Sequence, residues 1–300
     1  RSGFHMNKKT KQQLKYTQNF LQSTELVNKL IEMSNLDKDD LVLEIGPGKG
    51  IITWELARTV RRVIAVEYDD YLYKKLSSMF EGRKNVEIIK GDFLQYELPE
   101  GKEYKVFANI PFNITAEIIH KITEKNRAPQ DAYLVIQKEA AWKYIGYPYY
   151  KESLRSLLLK PYFEFRILHS FQKTDFRPVP DVDAVFLHIR QRRKQLLKEK
   201  EGRLYQDFIT YIFTRQNKGL GNKCKRIFTH KQLKRLARDN GFNMDANPTE
   251  LRFEQWYRLY CFFADRVSAE KQALVAGAYD KLMKEQQGLD RLHRNRRKRK

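Results

Sequence analysis

Asn109, Ile110, Pro111 and Phe112 stand in a row at the end of an apolar, strand-like run, residues 104–108. An Asn-x-Pro-aromatic tetrapeptide at a strand end suits methylation of an exocyclic base amine. Such an amine is a poor nucleophile, because its lone pair is delocalised into the ring. It needs acceptors for its N–H groups and a flat partner for the base. Asn109 offers a side-chain carbonyl. Pro111 fixes its own φ and pushes Ile110 toward an extended conformation, which turns the Ile110 carbonyl outward as a second acceptor. Phe112 offers a ring on which an extruded base can stack. The bland alternative is an ordinary turn proline beside a core phenylalanine.

Three further strand ends carry groups suited to one cofactor. Leu41–Ile45 is a short apolar run that ends in Gly46-Pro47-Gly48-Lys49-Gly50, with helical spacing from Ile51. Glu44 lies just before the turn. Strand, glycine turn and helix form the ligand corner of a doubly wound sheet. Residues 62–66 predict the next strand, and Glu67 after it suits a ribose diol. A third strand near residues 86–89 leads to Gly91-Asp92-Phe93. There Asp92 can accept from an adenine amino group and Phe93 can cover the ring. The four features in this order describe an S-adenosylmethionine site beside a site for an extruded base. Nicotinamide binding leaves Asp92 and Asn109 without a role.

At this point the chain resembles the ribosomal RNA adenine N6-methyltransferases, and within them the Erm methyltransferases of 23S rRNA. The segment Thr17-Gln18-Asn19-Phe20-Leu21 resembles the family's Q-N-F segment, which closes over the cofactor. Ile110 matches the Erm form, where the 16S dimethylases usually carry Leu. Residues 176–182 resemble the F-x-P-x-P-x-V segment before the last strand, and Phe253-Glu-Gln-Trp256 a sequence near the end of the small helical domain. The likeness covers residues 14 to 264. Phe112 departs from it, since most relatives have Tyr. The resemblance implies a cytoplasmic, monomeric enzyme with S-adenosyl-L-methionine as cofactor and 23S rRNA as partner. It implies roles for Gln18, Asn19 and Leu21 at the cofactor, and for Phe176 on the far face of the target adenine. Methylation in the peptidyl-transferase loop would confer macrolide, lincosamide and streptogramin B resistance. Two other functions stay in view: a 16S dimethylase of ribosome assembly, and an RNA-binding factor that keeps the fold without the chemistry.

Composition points to the same partner independently. The 300 residues hold 58 Lys and Arg against 37 Asp and Glu, a net charge of +21. That excess implies a polyanion, and 17 Tyr with 18 Phe supply stacking surfaces. No run of 18 apolar residues suggests a membrane span. The two cysteines, Cys224 and Cys261, imply neither a disulfide framework nor a metal cluster. The six histidines lack metal spacing, and His188 reads as structural.

The elements that position these groups follow from periodicity. Strands are expected near 41–45, 62–66, 86–89, 104–109, 131–137, 163–168 and 184–190, with helical patterns between the first six. A proline-bearing loop, Phe171 to Asp183, separates the last two. This is an α/β, Rossmann-like seven-stranded methyltransferase sheet with the last strand antiparallel. Residues 1–5 resemble an expression scar, and 6–190 form the expected catalytic domain. Residues 196–266 form a small C-terminal helical domain for RNA, and 267–300 a basic extension, partly disordered. Seven of the last ten residues are Lys or Arg, Arg296 and Arg297 among them. This tail and a glycine-broken basic loop, with Lys218, Lys223, Lys225 and Arg226, are expected to meet RNA phosphates.

Overall fold

The computed structural model describes residues 19–100, 103–124, 126–198 and 200–286. Its chain divides into two compact units. Among the described residues, one comprises those up to Ala141 with Phe163–Arg192, the other Trp142–Tyr162 with those from Arg193 onward.

The strands of the first unit are β1 (Phe20–Leu21), β2 (Leu41–Ile45), β3 (Arg62–Glu67), β4 (Val86–Lys90), β5 (Lys105–Asn109), β6 (Asp131–Gln137), β7 (Phe163–Ser170), β8 (Phe176–Arg177) and β9 (Ala184–Gln191). Seven of them form a sheet in the order β4-β3-β2-β5-β6-β9-β7. Strands β2 to β6 run parallel, while β9 is antiparallel to both β6 and β7. All seven expected strands are present, with the reversed last strand. Central strands such as β2 and β5 are buried along most of their length, the continuous apolar pattern of a sheet covered on both faces.

Helices α1 (Thr24–Met33), α2 (Ile51–Thr59), α3 (Asp70–Met79) and α4 (Thr115–Ile122) cover that sheet, and α5 (Lys138–Ile145) follows β6. Helix α1 shows why the sequence folds so. Ser23 caps it by accepting from the Leu26 N–H at 3.1 Å, and Val27, Leu30 and Ile31 bury one helical stripe. Asp69 caps α3 through the N–H groups of Tyr71 and Leu72.

Two features depart from the sequence expectation. Between β4 and β5 the described residues hold only a 3-10 turn, Phe93–Gln95, and no α-helix. Pro99 and Gly101 in that short connection oppose a longer helix. The expected plain loop 171–183 contains a 3-10 turn and the two-residue strand β8. This strand pairs antiparallel with β1, Leu21 opposite Phe176.

The second unit is helical: α6 (Leu154–Leu159), α7 (Glu201–Thr214), α8 (Leu220–Cys224), α9 (His230–Asn240), α10 (Phe253–Arg266) and α11 (Ala269–Ala273). Its core is aromatic. Phe208 meets Phe263 with centroids 4.7 Å apart and Trp256 edge-on at 6.4 Å, and the Trp256 indole donates to the Pro248 carbonyl at 3.1 Å. Residues 142–162, expected within the sheet domain, group with these helices; the Tyr205 hydroxyl donates to the Leu157 carbonyl at 2.8 Å. The extension beyond residue 267 is docked at its start. Val275 is buried, and Asp207 accepts from the N–H groups of Gly277 and Tyr279.

Candidate active site

The strand order reverses direction between β2 and β5. Connections run outward from β2 to β4 on one side, and from β5 onward on the other. The carboxyl ends of two such strands diverge and leave a crevice, the usual ligand position in an open α/β sheet. The glycine turn leaves β2 at this point, and Asn109 ends β5 there.

A cavity sits in that crevice. Gly46, Pro47, Asn109, Ile110, Pro111 and Phe112 form its walls, with Lys49, Ile51, Ile52 and the segment Asn19–Leu21 completing them. Gly46, Gly48 and Gly50 have φ of 63°, 60° and 85°, a region open to glycine at little cost. At Gly46 a Cβ would point into open space. At Gly48 it would lie 2.5 Å from the Phe20 ring. Phe20 therefore rests directly on the turn, and the Lys49 ammonium lies 5.0 Å from its ring centroid.

A buried carboxylate holds the turn. Glu67 accepts from the Gly48 N–H at 3.1 Å and from the Asp69 N–H at 2.8 Å. Burial raises its carboxyl above the ordinary range, with these hydrogen bonds opposing the shift. Glu44 is 1% exposed, and neither of its oxygens has a hydrogen bond of good geometry among the described residues. Desolvation pushes its carboxyl up to about 8. The Thr53 hydroxyl beside it offsets this only in part, and the charge of Glu67 adds to it.

Asn109 is held from the N-terminal segment. Its Nδ2 donates to the Asn19 backbone carbonyl at 2.7 Å. A carbonyl cannot donate, so this contact fixes which way the amide faces, and the Oδ1 takes no hydrogen bond from the described residues. The Ile110 N–H donates to Val135 O at 3.3 Å, while the Ile110 carbonyl takes no hydrogen bond from the described residues. Pro111 has φ −61° and ψ 129°. Phe112 is half-buried, its ring packed against the sheet core.

Several predicted site residues lie elsewhere. Asp92 is half-buried after β4, where Oδ1 accepts from the Leu94 N–H at 2.9 Å; its other oxygen takes no hydrogen bond from the described residues. Phe93 is buried beneath Lys121, whose Nζ lies 5.7 Å from the ring centroid, so the ring forms floor rather than cover. Glu67 is likewise buried, and both of its oxygens accept from backbone N–H groups beside the turn. Phe176 is 1% exposed and packs edge-on against Phe171 at 5.2 Å. It lies under the site, in the sheet core, and presents no face to a base. In the helical unit, Lys218, Lys225 and Arg226 are exposed. Lys223 is buried, and its ammonium donates to the Arg215 carbonyl, which removes it from the expected RNA surface. Burial lowers its pKa. Gln18, Arg296 and Arg297 lie outside the described residues.

Sequence reasoning did not find the Phe20 contact with Gly48 or the bond from Asn109 to Asn19. The signal was present in the Q-N-F segment, but nothing along the chain says which partner that segment meets. His188 bonds Asp131 at 2.6 Å and stacks on Tyr133. Cys224 is a buried thiol pushed up to about 12 by desolvation, and Cys261 is half-buried. Among the described residues no cluster could hold a metal, and no helix is long and apolar enough to cross a membrane.

Sheet order, glycine turn and crevice together define a Rossmann-like methyltransferase. Residues 9–265 match the family model for ribosomal RNA adenine dimethylase, and the chain belongs to that family. It is 30% identical over 248 residues to ribosomal RNA small subunit methyltransferase A of Mycoplasmopsis pulmonis, covering 82% of this chain and 96% of the relative. It is also 30% identical over 247 residues to an rRNA adenine N-6-methyltransferase of Saccharopolyspora erythraea, covering 82% of this chain and 64% of that one. Among solved structures, the 23S rRNA methyltransferase ErmE superposes with a TM-score of 0.76 at 28% identity, covering 82% of this chain and all of that one. The chain is thus an S-adenosylmethionine-dependent rRNA adenine methyltransferase.

Proposed function

We propose that the chain methylates N6 of one adenine in 23S rRNA and thereby confers macrolide, lincosamide and streptogramin B resistance, acting as a cytoplasmic monomer. The observation that carries the chemistry is the fixed Asn109 amide, with its Oδ1 and the Ile110 carbonyl both left to accept. The choice of 23S over 16S rests on Ile110 and on the likeness to ErmE along that whole chain. The small-subunit relatives at similar identity are the reason to test it.

The crevice suits S-adenosylmethionine. Gly46 leaves open space where a side chain would stand, so backbone can approach a ligand closely. Asp92 keeps one oxygen for an adenine amino group, and Asn19 and Leu21, which line the crevice, serve the methionine end. When bound, this cofactor supplies an electrophilic methyl on a sulfonium. Proximity and alignment are the enzyme's share. Asn109 Oδ1 and the Ile110 carbonyl accept the two N6 hydrogens and hold the lone pair in line. Phe112 stacks on the base with the face that the core leaves uncovered. Gly48 and Gly50 shape the turn, and Glu67 fixes it through the Gly48 N–H. Lys218, Lys225 and Arg226 meet RNA phosphates, as would the tail.

The test is the methylated nucleotide itself. Total rRNA from cells expressing the chain should carry N6-methyladenine in 23S rRNA, and those cells should grow on a macrolide. Methylated 16S rRNA without resistance would favour the assembly enzyme instead.

Two residue-level results should accompany it. Asp92→Ala should weaken cofactor binding about tenfold, the scale of one charge-assisted hydrogen bond, while RNA affinity stays level; calorimetry with S-adenosylmethionine and with RNA reads the two arms. Phe112→Tyr should be nearly silent because the ring face is kept. Phe112→Ala should lose about tenfold in turnover, the scale of one base–aromatic stack, and equal rates for the two variants would remove the stacking role.

A further inference from the structure

Tyr147, Tyr149 and Tyr150 are each 51% exposed and stand within four residues of one another in the helical unit. Half-exposed aromatic rings in such density mark an interaction surface. The loop that carries them is not slack. The Gly146 carbonyl, on a residue with φ 66°, accepts from the N–H groups of Tyr149 and Tyr150 at 3.0 and 2.9 Å. A Cβ on Gly146 would run into the Glu152 carboxylate.

That carboxylate is buried and serves the loop. It accepts from the Tyr147 N–H at 3.4 Å and from the Ser156 hydroxyl at 2.6 Å, and it pairs with Lys160. The Glu152 N–H donates to Thr249 O at 2.9 Å. A buried carboxyl group with several partners thus holds an exposed turn in one shape, so little ordering entropy remains to be lost on binding.

The surroundings are basic. The Arg252 guanidinium lies 4.2 Å from the Tyr147 ring centroid. Lys143 and Lys151 are exposed, and the acidic Glu250 lies 3.9 Å from the Lys151 ammonium. Aromatic faces interleaved with cations match single-stranded nucleic acid, whose bases stack and whose phosphates pair.

We propose that the loop Gly146–Lys151 is a stacking platform for unpaired bases of RNA. Tyr149 and Tyr150 offer ring faces, and Tyr147 offers a face already polarised by Arg252. Lys143 and Lys151 meet the phosphates. The platform is sequence-tolerant, because every base has a π-face. It rests on the reading that RNA is the substrate, and it adds a contact independent of the Asn109 site.

The experiment uses the full chain and a single-stranded oligoribonucleotide carrying 2-aminopurine, whose fluorescence falls on stacking. Wild type should bind and quench it. The triple variant Tyr147→Phe, Tyr149→Phe, Tyr150→Phe should do the same. The triple variant Tyr147→Ala, Tyr149→Ala, Tyr150→Ala should lose quenching and at least about tenfold in affinity, with the salt slope of binding unchanged, because stacking releases no counterions. Should the triple variant melt early, Tyr149→Ala and Tyr150→Ala singly should each show a smaller loss in the same direction. Alanine variants that bind and quench as wild type does would overturn the platform, as would phenylalanine variants that lose as much as alanine. Methyl transfer to rRNA is measured alongside. Undisturbed tyrosine variants of an active methylase would sink the platform alone, whereas a wild type that binds no RNA would sink the substrate reading as well.

Discussion

Asn109→Ala is expected to lose rRNA methylation by about 10²-fold or more, the scale seen when a positioned polar group at a reacting centre is removed. Cofactor and RNA affinity should stay close to wild type. The loss should fall on turnover because the Asn109 carbonyl acts on the lone pair of the target amine, which gains most in the transition state. The contact with Asn19 sharpens the test. Asn109→Asp keeps an acceptor but loses the N–H that meets the Asn19 carbonyl. Two oxygens would then face each other, and the carboxylate would turn away. Aspartate should therefore fail about as badly as alanine in single-turnover methylation of rRNA at saturating cofactor. An aspartate variant with near wild-type turnover would show that the Asn19 contact positions nothing. In cells at equal protein level, wild type should permit growth on a macrolide and Asn109→Ala should not.

The central strands were legible because β2 and β5 are short apolar runs closed by Gly46 and by Asn109 with Pro111, and a parallel sheet buried on both faces leaves that mark. Long-range pairing was not. Phe20–Leu21 and Phe176–Arg177 are two residues each, too short for a period, and their pairing joins segments far apart in sequence. Residue type also misled where burial decides the role. Phe176 and Lys223 carry the right chemistry for a base and a phosphate, yet one is core and the other donates to a backbone carbonyl. Glu67 was located at the correct strand end, but its engagement with Gly48 is a matter of side-chain direction. Residues 142–162 follow β6 without a break in composition, so only three-dimensional contacts could assign them to the helical unit.

Glu44→Gln should stabilise the chain near pH 8 and do little near pH 5. Glu44 is buried beside Glu67, its oxygens unpaired among the described residues apart from the nearby Thr53 hydroxyl, and desolvation raises its carboxyl to about 8 from an ordinary 4.5. The folded chain therefore binds a proton that the unfolded chain has released between those two values. Stability from this group is fully present below about pH 4.5. It drains away as the pH rises toward 8 and is flat beyond. Each tenfold difference in proton affinity between folded and unfolded chain corresponds to about 1.4 kcal/mol. The loss by pH 8 is therefore on the order of 4 kcal/mol, a large share of a typical domain's stability. Glutamine has the same shape and no proton to lose, so its curve should lack this slope. Glu67 is also raised by burial, and its charge is part of what raises Glu44, so the difference between the two proteins reads Glu44 together with that coupling. Urea unfolding of wild type and variant at about pH 5 and about pH 8 reads that difference. Parallel pH dependence in the two proteins would mean that Glu44 is already ionised or solvated in the folded state.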